Sequence, residues 1–284
     1  MKTFKQLTHL DPRTLMIVDC LNMAFSFRGR NNYFDNYINM VESLRKSYNA
    51  GKVIMTCDLG SSSYRRAIYP GYKQNRKDKH ALQTPEEQKE FELFFEEFNR
   101  IMESYKESTN YPVLRFDKTE ADDTAAYIVK HRKHYEIDQI WLISSDRDLN
   151  LLVDEGVSQF SYVTRKEFTV DNWAEHYEFT REEYISIKCL QGDSGDNVFG
   201  VPGVGPKKAL ALVREYGTAY DIAANLPIAS KYKYIQNLNA FGADNLMLNY
   251  KLMDLMEFCD EAIGPENCKK VNHVLEKYLN GIAN

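Results

Sequence analysis

The chain has 284 residues, 43% hydrophobic and 27% charged, with a formal net charge of −5. That balance suits a soluble globular protein of one or two domains, and no apolar run approaches the roughly 20 residues that span a membrane. Residues 1–14 lack the charged-then-apolar-then-small order of a secretory signal. The five cysteines form no CxxC pair and are odd in number, which reads as reduced thiols in a cytoplasm.

Short apolar runs alternate with longer helical patterns along the first half. Residues 15–18, 53–55 and 140–143 read as buried strands, 113–114 as a weaker one and 157–163 as a longer one. Helical periodicity covers about 33–49, 85–108 and 122–135. Such alternation predicts an α/β fold with a mostly parallel central sheet flanked by helices, whose ligands gather at the carboxyl ends of the strands. From about residue 180 the strand signal fades into helices broken by Gly- and Pro-rich turns. The expected division is therefore a core over 1–180 and a helical region over 181–284, packed on that core.

Residues 64–107 separate two strands by more than an ordinary connection. The first half is basic, with Arg65, Arg66, Lys73, Arg76, Lys77 and Lys79 among Tyr64, Tyr69 and Tyr72. The second half is an acidic helix with a stripe of Phe91, Phe94, Phe95, Phe98, Ile101 and Met102. A functional insertion and a solvated helical excursion both fit this pattern.

Acidic residues recur where strands end. Asp19 and Asp58 close two strands, and the third runs through Ser144 and Ser145 into Asp146 and Asp148. Glu120, Asp122 and Asp123 open a helix, and Asp193 and Asp196 lie three apart among glycines. Each has a local reading: Thr119 with Asp122 as a capping box, the strand-end aspartates as turn residues, the 192–197 segment as a loop. Together they point elsewhere, because converging carboxylates repel unless cations hold them. Oxygen donors without histidine or thiolate partners suit Mg²⁺ or Mn²⁺, and the six histidines show no HExxH spacing. So many carboxylates can hold two ions roughly 3.5–4 Å apart for phosphoryl transfer. Setting these nine carboxylates aside turns the net charge from −5 to +4, a mildly basic body compatible with DNA.

Gly203, Gly205, Pro206, Lys207 and Lys208 follow. Two glycines admit a close ligand, Pro206 suits the first position of a helix, and N–H groups with two lysines attract an anion. The spacing fits neither a P-loop nor a dinucleotide fingerprint. The readings that remain are a grip on phosphate backbone, blind to base identity, and a plain structural turn.

In this order the motifs resemble the flap endonuclease/5′-3′ exonuclease family, in particular its stand-alone bacteriophage (T-odd type) members. The likeness rests on Asp19, Asp58, Tyr72-Lys73-x-Asn75-Arg76, Glu120-x-Asp122-Asp123, Asp146-x-Asp148, Gly192-Asp193-x-x-Gly195-Asp196-Asn197 and Gly203-x-Gly205-x-Lys207-Lys208. It covers residues 15–255. The resemblance implies a structure-specific, metal-dependent 5′-nuclease of DNA replication or repair, cutting near 5′ flaps, nicks and junctions and leaving 5′-phosphate and 3′-hydroxyl ends. Glu120, Asp122 and Asp146, with Asp19 and Asp58, would serve one metal. Asp148, Asp193 and Asp196, with Asp146 shared, would serve a second, and Asp123 would lie between or behind them. Residues 64–107 would form a helical arch for a single-stranded 5′ end. Lys73 and Arg76 would meet the scissile phosphate and Tyr72 would stack near the terminal nucleotides, with Arg65, Arg66 and Lys77 as further DNA contacts. Residues 200–216 would be a helix-hairpin motif that grips duplex and can hold K⁺. A monomer in a host cytoplasm is implied, with any polymerase a separate partner. Two departures stand out: Cys20 where relatives often have glycine, and Asn150 where some phage relatives carry another acid.

Two rival readings share parts of this pattern. A PIN-type ribonuclease has a similar acidic rim but needs neither the long insertion nor the Gly203–Lys208 turn. A junction-binding protein without chemistry would be expected to have lost an acid or Lys73, and all are present.

Overall fold

The apolar run at 15–18 lies inside a nine-residue strand, β1 (Asp11–Asp19), whose residues 15–18 are buried. The computed structural model describes residues 10–30 and 32–279. β1 pairs in parallel with β2 (Ala50–Cys57) on one side and with β4 (Gln139–Ile143) on the other. β3 (Val113–Arg115) and β5 (Val157–Ser161) extend the sheet in parallel, and β6 (Lys166–Phe168) closes it antiparallel. The order is β3-β2-β1-β4-β5-β6, so the predicted α/β fold with a mostly parallel sheet is what forms. The strand expected over 157–163 ends at Ser161, where a turn brings β6 back antiparallel on β5.

Among the described residues the chain separates into two units that do not follow sequence order: those within 1–62, 83–170 and 259–284 form one, those within 63–82 and 171–258 the other. The sheet belongs to the first. Its core packs β1 and β2 against the helices Tyr33–Ser47 and Pro85–Ser108, with Tyr37, Val41, Phe98, Ile101 and Met102 buried. Thr84 and Glu87 start the second helix with a reciprocal capping box, and Pro85 stands at its first position. Residues 64–107, which separate β2 from β3, divide between the two units. Phe94, Phe98, Ile101 and Met102 of the stripe are core residues of the first unit, whereas the basic half, with helices Ser63–Ile68 and Gln74–Ala81, belongs to the second.

The second unit is helical, as expected beyond residue 180, apart from a hairpin of β7 (Gly192–Asp193) and β8 (Val198–Phe199). Gly192 has φ +70°, and a Cβ there would stand 2.3 Å from the Gly200 nitrogen, so this crossing requires glycine. Helices Arg181–Gln191, Pro206–Tyr216, Ala219–Ala224 and Lys233–Met253 enclose a core that includes Leu190, Leu212, Ile222 and Leu238.

Candidate metal centre and nucleic-acid contacts

Parallel strands present their carboxyl ends on one rim, and in the first unit the acids gather there. Asp19 ends β1, Asp58 follows β2, and Asp146 and Asp148 lie in the segment after β4. Asp58 Oδ1 accepts from the Ala121 N–H at 2.7 Å, tying the end of β2 to the start of helix Ala121–His131. Glu120 caps that helix by position but makes no side-chain cap bond. Its Oε1 accepts instead from the Ser62 N–H at 3.2 Å. The capping box expected from Thr119 and Asp122 is therefore absent. Thr119 is buried with its hydroxyl on the Asp117 carbonyl, and Asp122 Oδ1 accepts from the Asp123 N–H at 2.7 Å.

Glu120, Asp122 and Asp123 each place a carboxylate oxygen within 4.8 Å of the other two. Glu120 is 3% exposed and Asp123 is fully buried. Buried anions this close cannot all stay ionised without a cation, and an all-oxygen set fits a hard divalent ion.

Asp19 lies near Asp58 and Asp146 on the same rim. Its Oδ2 accepts from the Ser144 hydroxyl at 2.8 Å and its Oδ1 from the Asn22 N–H at 3.3 Å. Burial pushes its carboxyl up to about 8, and Asp58 and Asp146 push the same way against the Ser144 hydrogen bond. The Ser144 hydroxyl also accepts from the Asp146 N–H at 3.1 Å, and Asp146 Oδ1 accepts from the Asp148 N–H at 2.9 Å. The first unit thus brings together seven of the nine predicted carboxylates. Sequence reasoning missed the amides and hydroxyls behind them (Asn22, Ser144 and Gln159), because nothing in their spacing marks them.

Asp193 and Asp196 stand in the second unit, at the turn between β7 and β8. Asp193 Oδ1 accepts from the N–H groups of Gly195 and Asp196, at 2.8 and 3.2 Å. Asp196 collects the two side chains expected to meet phosphate, Arg76 Nη2 at 2.6 Å and Lys73 Nζ at 3.7 Å, and also accepts from the Tyr72 hydroxyl at 2.8 Å. Asn75 Nδ2 donates to the Ser194 carbonyl at 2.8 Å. Segments 71–76 and 194–197 are therefore fastened side by side.

Two expectations need correction. Tyr72 is 2% exposed and spends its hydroxyl on Asp196, so its ring is not offered for stacking. Arg65 is 3% exposed, with Nε donating to the Leu252 carbonyl at 2.8 Å, which makes it a brace within the unit rather than a surface cation. Arg66 is half-buried, and Lys77 is exposed as expected.

Pro206 opens helix Pro206–Tyr216 with Gly205 at its cap. Gly203 has φ +80°. Lys208 Nζ donates to the Gly203 carbonyl at 2.9 Å, and Asn237 Nδ2 to the Pro202 carbonyl at 2.7 Å, so the turn is held from within. Lys207 is exposed. A Cβ at Gly205 would meet nothing within 4 Å, and its φ of −92° is ordinary. No neighbour in the fold asks for glycine there; a ligand drawing close to the backbone would.

The family model described as "5′-3′ exonuclease, N-terminal resolvase-like domain" matches residues 18–178, and "5′-3′ exonuclease, C-terminal SAM fold" matches residues 179–273. The chain is 40% identical over 274 residues to the flap endonuclease of Escherichia phage T5, across 95% of this chain and 91% of that one. A structure of the bacteriophage T5 D15 flap endonuclease in a pseudo-enzyme-product complex with DNA and metal ions matches with a TM-score of 0.86 and 39% identity, over 93% of this chain and 99% of that one. The T5 5′-exonuclease with bound divalent zinc ions matches with a TM-score of 0.88 and 39% identity, over 94% and 99% of the two chains.

Proposed function

The chain belongs to the 5′-3′ exonuclease family, and from that membership we propose that it is a structure-specific 5′-nuclease, hydrolysing DNA phosphodiesters near 5′-flap and nick junctions in replication or repair. The observation that carries the reading is the gathering of carboxylates on the sheet rim, with Glu120, Asp122 and Asp123 within 4.8 Å of one another.

Asp19, Asp58, Glu120, Asp122 and Asp146 would hold one divalent ion, backed by Asp123; Asp148 in the first unit, and Asp193 and Asp196 in the second, are proposed as further metal ligands. When bound, two such ions (Mg²⁺, with Mn²⁺ as a substitute) supply hydroxide from water and stabilise charge on the phosphate and its leaving oxygen. The rest of the chemistry falls to side chains. Lys73 and Arg76 neutralise the scissile phosphate; their positions against the Asp196 carboxylate support this, since both already point their charge at an anion. Gly203, Gly205, Lys207 and Lys208 grip duplex backbone through an open glycine and a helix N-terminus. A K⁺ ion at this turn would use carbonyls such as that of Gly203, which now accepts from Lys208. Arg66 and Lys77 add sequence-blind phosphate contacts.

No described helix is long and apolar enough to cross a membrane. A monomer acting on host-cytoplasmic DNA, with a separate polymerase as partner, completes the proposal.

The test is cutting of a 5′-labelled flap DNA with Mg²⁺ and with EDTA, by wild type and Asp146→Asn. Metal-dependent cutting near the junction is expected from wild type alone, and the variant should still bind the flap. Equal cutting by both proteins, or cutting that persists in EDTA, would refute the proposed centre.

A further inference from the structure

Behind the segment that carries Asp146 and Asp148 lies a pair of buried amides. Gln159, at the centre of β5, and Asn150, in the 3₁₀ turn Asp148–Leu152, are each 1% exposed. Asn150 Nδ2 donates to Gln159 Oε1. Gln159 Nε2 in turn donates to two backbone carbonyls, Asp146 at 2.6 Å and Ser144 at 2.9 Å. Ser144 is the residue whose hydroxyl bridges the Asp19 carboxylate and the Asp146 N–H.

From this arrangement we infer that Gln159 and Asn150 are positioning residues that set the geometry of Asp146 for metal, an inference that rests on the proposed metal centre. The polarity of the relay is fixed. Were the Gln159 amide turned over, its oxygen would face two carbonyl oxygens and its NH₂ would face that of Asn150. Asn150 therefore locks Gln159 with its donors toward the carboxylate segment. A buried amide pair that made no use of this direction would not need both members. The sheet supplies rigidity: β5 is hydrogen-bonded on both sides, so the segment hangs from a fixed strand rather than from a loop.

The pair also accounts for the departure at position 150. An acid there has no proton for Gln159 Oε1 and would draw the amide round to its opposite orientation. In this chain an amide at 150 is part of the device that aims Asp146. Groups that orient metal ligands without touching metal typically change metal affinity or activity by about 10–100-fold when removed.

The experiment measures the Mn²⁺ concentration that gives half-maximal cutting of flap DNA, and the Mn²⁺ concentration that gives half-maximal thermal stabilisation, for wild type, Gln159→Met and Asp146→Asn. Gln159→Met keeps the volume and removes both donors. It should raise both half-saturating concentrations by about tenfold or more while flap binding in EDTA stays unchanged. A purely structural role would lower the metal-free melting temperature and leave both concentrations alone, and that result overturns the inference. Failure of the two readings separates cleanly. If Asp146→Asn cuts and binds Mn²⁺ like wild type, the metal centre is wrong. If Asp146→Asn is inactive while Gln159→Met matches wild type, only the relay is wrong. Should Gln159→Met not fold, Asn150→Ala leaves both Gln159 donors in place but unfastened. A smaller rise in metal demand is then expected, and none would again overturn the inference.

Discussion

Asp19 carries the clearest pH signature at the scale of single residues. Its carboxyl moves from a usual value of 3.8 to about 8, through burial first and then the charges of Asp58 and Asp146. Between those values the folded protein holds a proton that the unfolded chain has released. Stability from this group is therefore full below about pH 4 and is lost as pH rises through 8. With metal chelated, the melting temperature should fall from pH 5 to pH 8, by no more than about 1.4 kcal/mol of stability per pH unit for this proton. Asp19→Asn should flatten that slope, and excess Mg²⁺ should flatten it in wild type, because the cation replaces the proton. Thermal scans across pH with EDTA decide the matter; parallel slopes for wild type and variant would remove Asp19 from the cluster. The positions of the acids were legible in the sequence because aspartate at the end of a buried strand is a countable pattern. Arg65 and Tyr72 were not. A basic, aromatic segment looks the same whether a given side chain faces water or turns inward to Leu252 or Asp196.

Glycine positions make a prediction at the scale of elements. Gly192 and Gly205 both flank proposed site residues, yet the fold needs only one of them. Gly192→Ala would drive a Cβ into the backbone of Gly200 and Val198, at 2.3 and 2.4 Å, and should unfold the β7–β8 hairpin. Gly205→Ala meets open space at an ordinary φ, so its unfolding stability should stay within about 0.5 kcal/mol of wild type. If duplex backbone approaches this turn, the same methyl should weaken duplex binding, read as a higher Kd at fixed salt. An unchanged Kd would argue that no ligand passes there. The buried strands and the helix Pro85–Ser108 were readable from apolar runs and helical spacing. β6 was not, being three residues of an edge strand with two charges. The Phe94, Phe98, Ile101 and Met102 stripe was visible but assigned to an insertion; a stripe of that width on 24 residues is what a core helix requires.

For the whole molecule, what sequence reading could not supply is that the first unit is assembled from three separate stretches of chain. Periodicity announces a helix but not its partner, so the last helix was grouped with the helical region that precedes it. Instead Pro265–Leu279 returns to the sheet unit, where Val271 and Leu275 are fully buried. The Tyr278 hydroxyl accepts from the Val53 N–H at 3.1 Å, and Asn272 Oδ1 accepts from the Tyr127 hydroxyl at 3.0 Å. These bonds reach β2, which leads into Asp58, and helix Ala121–His131, which carries Asp122 and Asp123. A helix that holds no proposed site residue thus braces one element that does and the strand that leads into Asp58. Leu275→Ala should cost about 2–5 kcal/mol of stability through a cavity in this layer. Well below its melting temperature the variant should cut flap DNA with the Mn²⁺ demand of wild type, since the strand rim itself is intact. Denaturant unfolding and metal titration, run on one preparation, check both halves. Full stability would mean that the helix does not pack as described. A raised metal demand in the folded variant would mean that the brace also shapes the carboxylate rim, giving that last helix a part in metal binding.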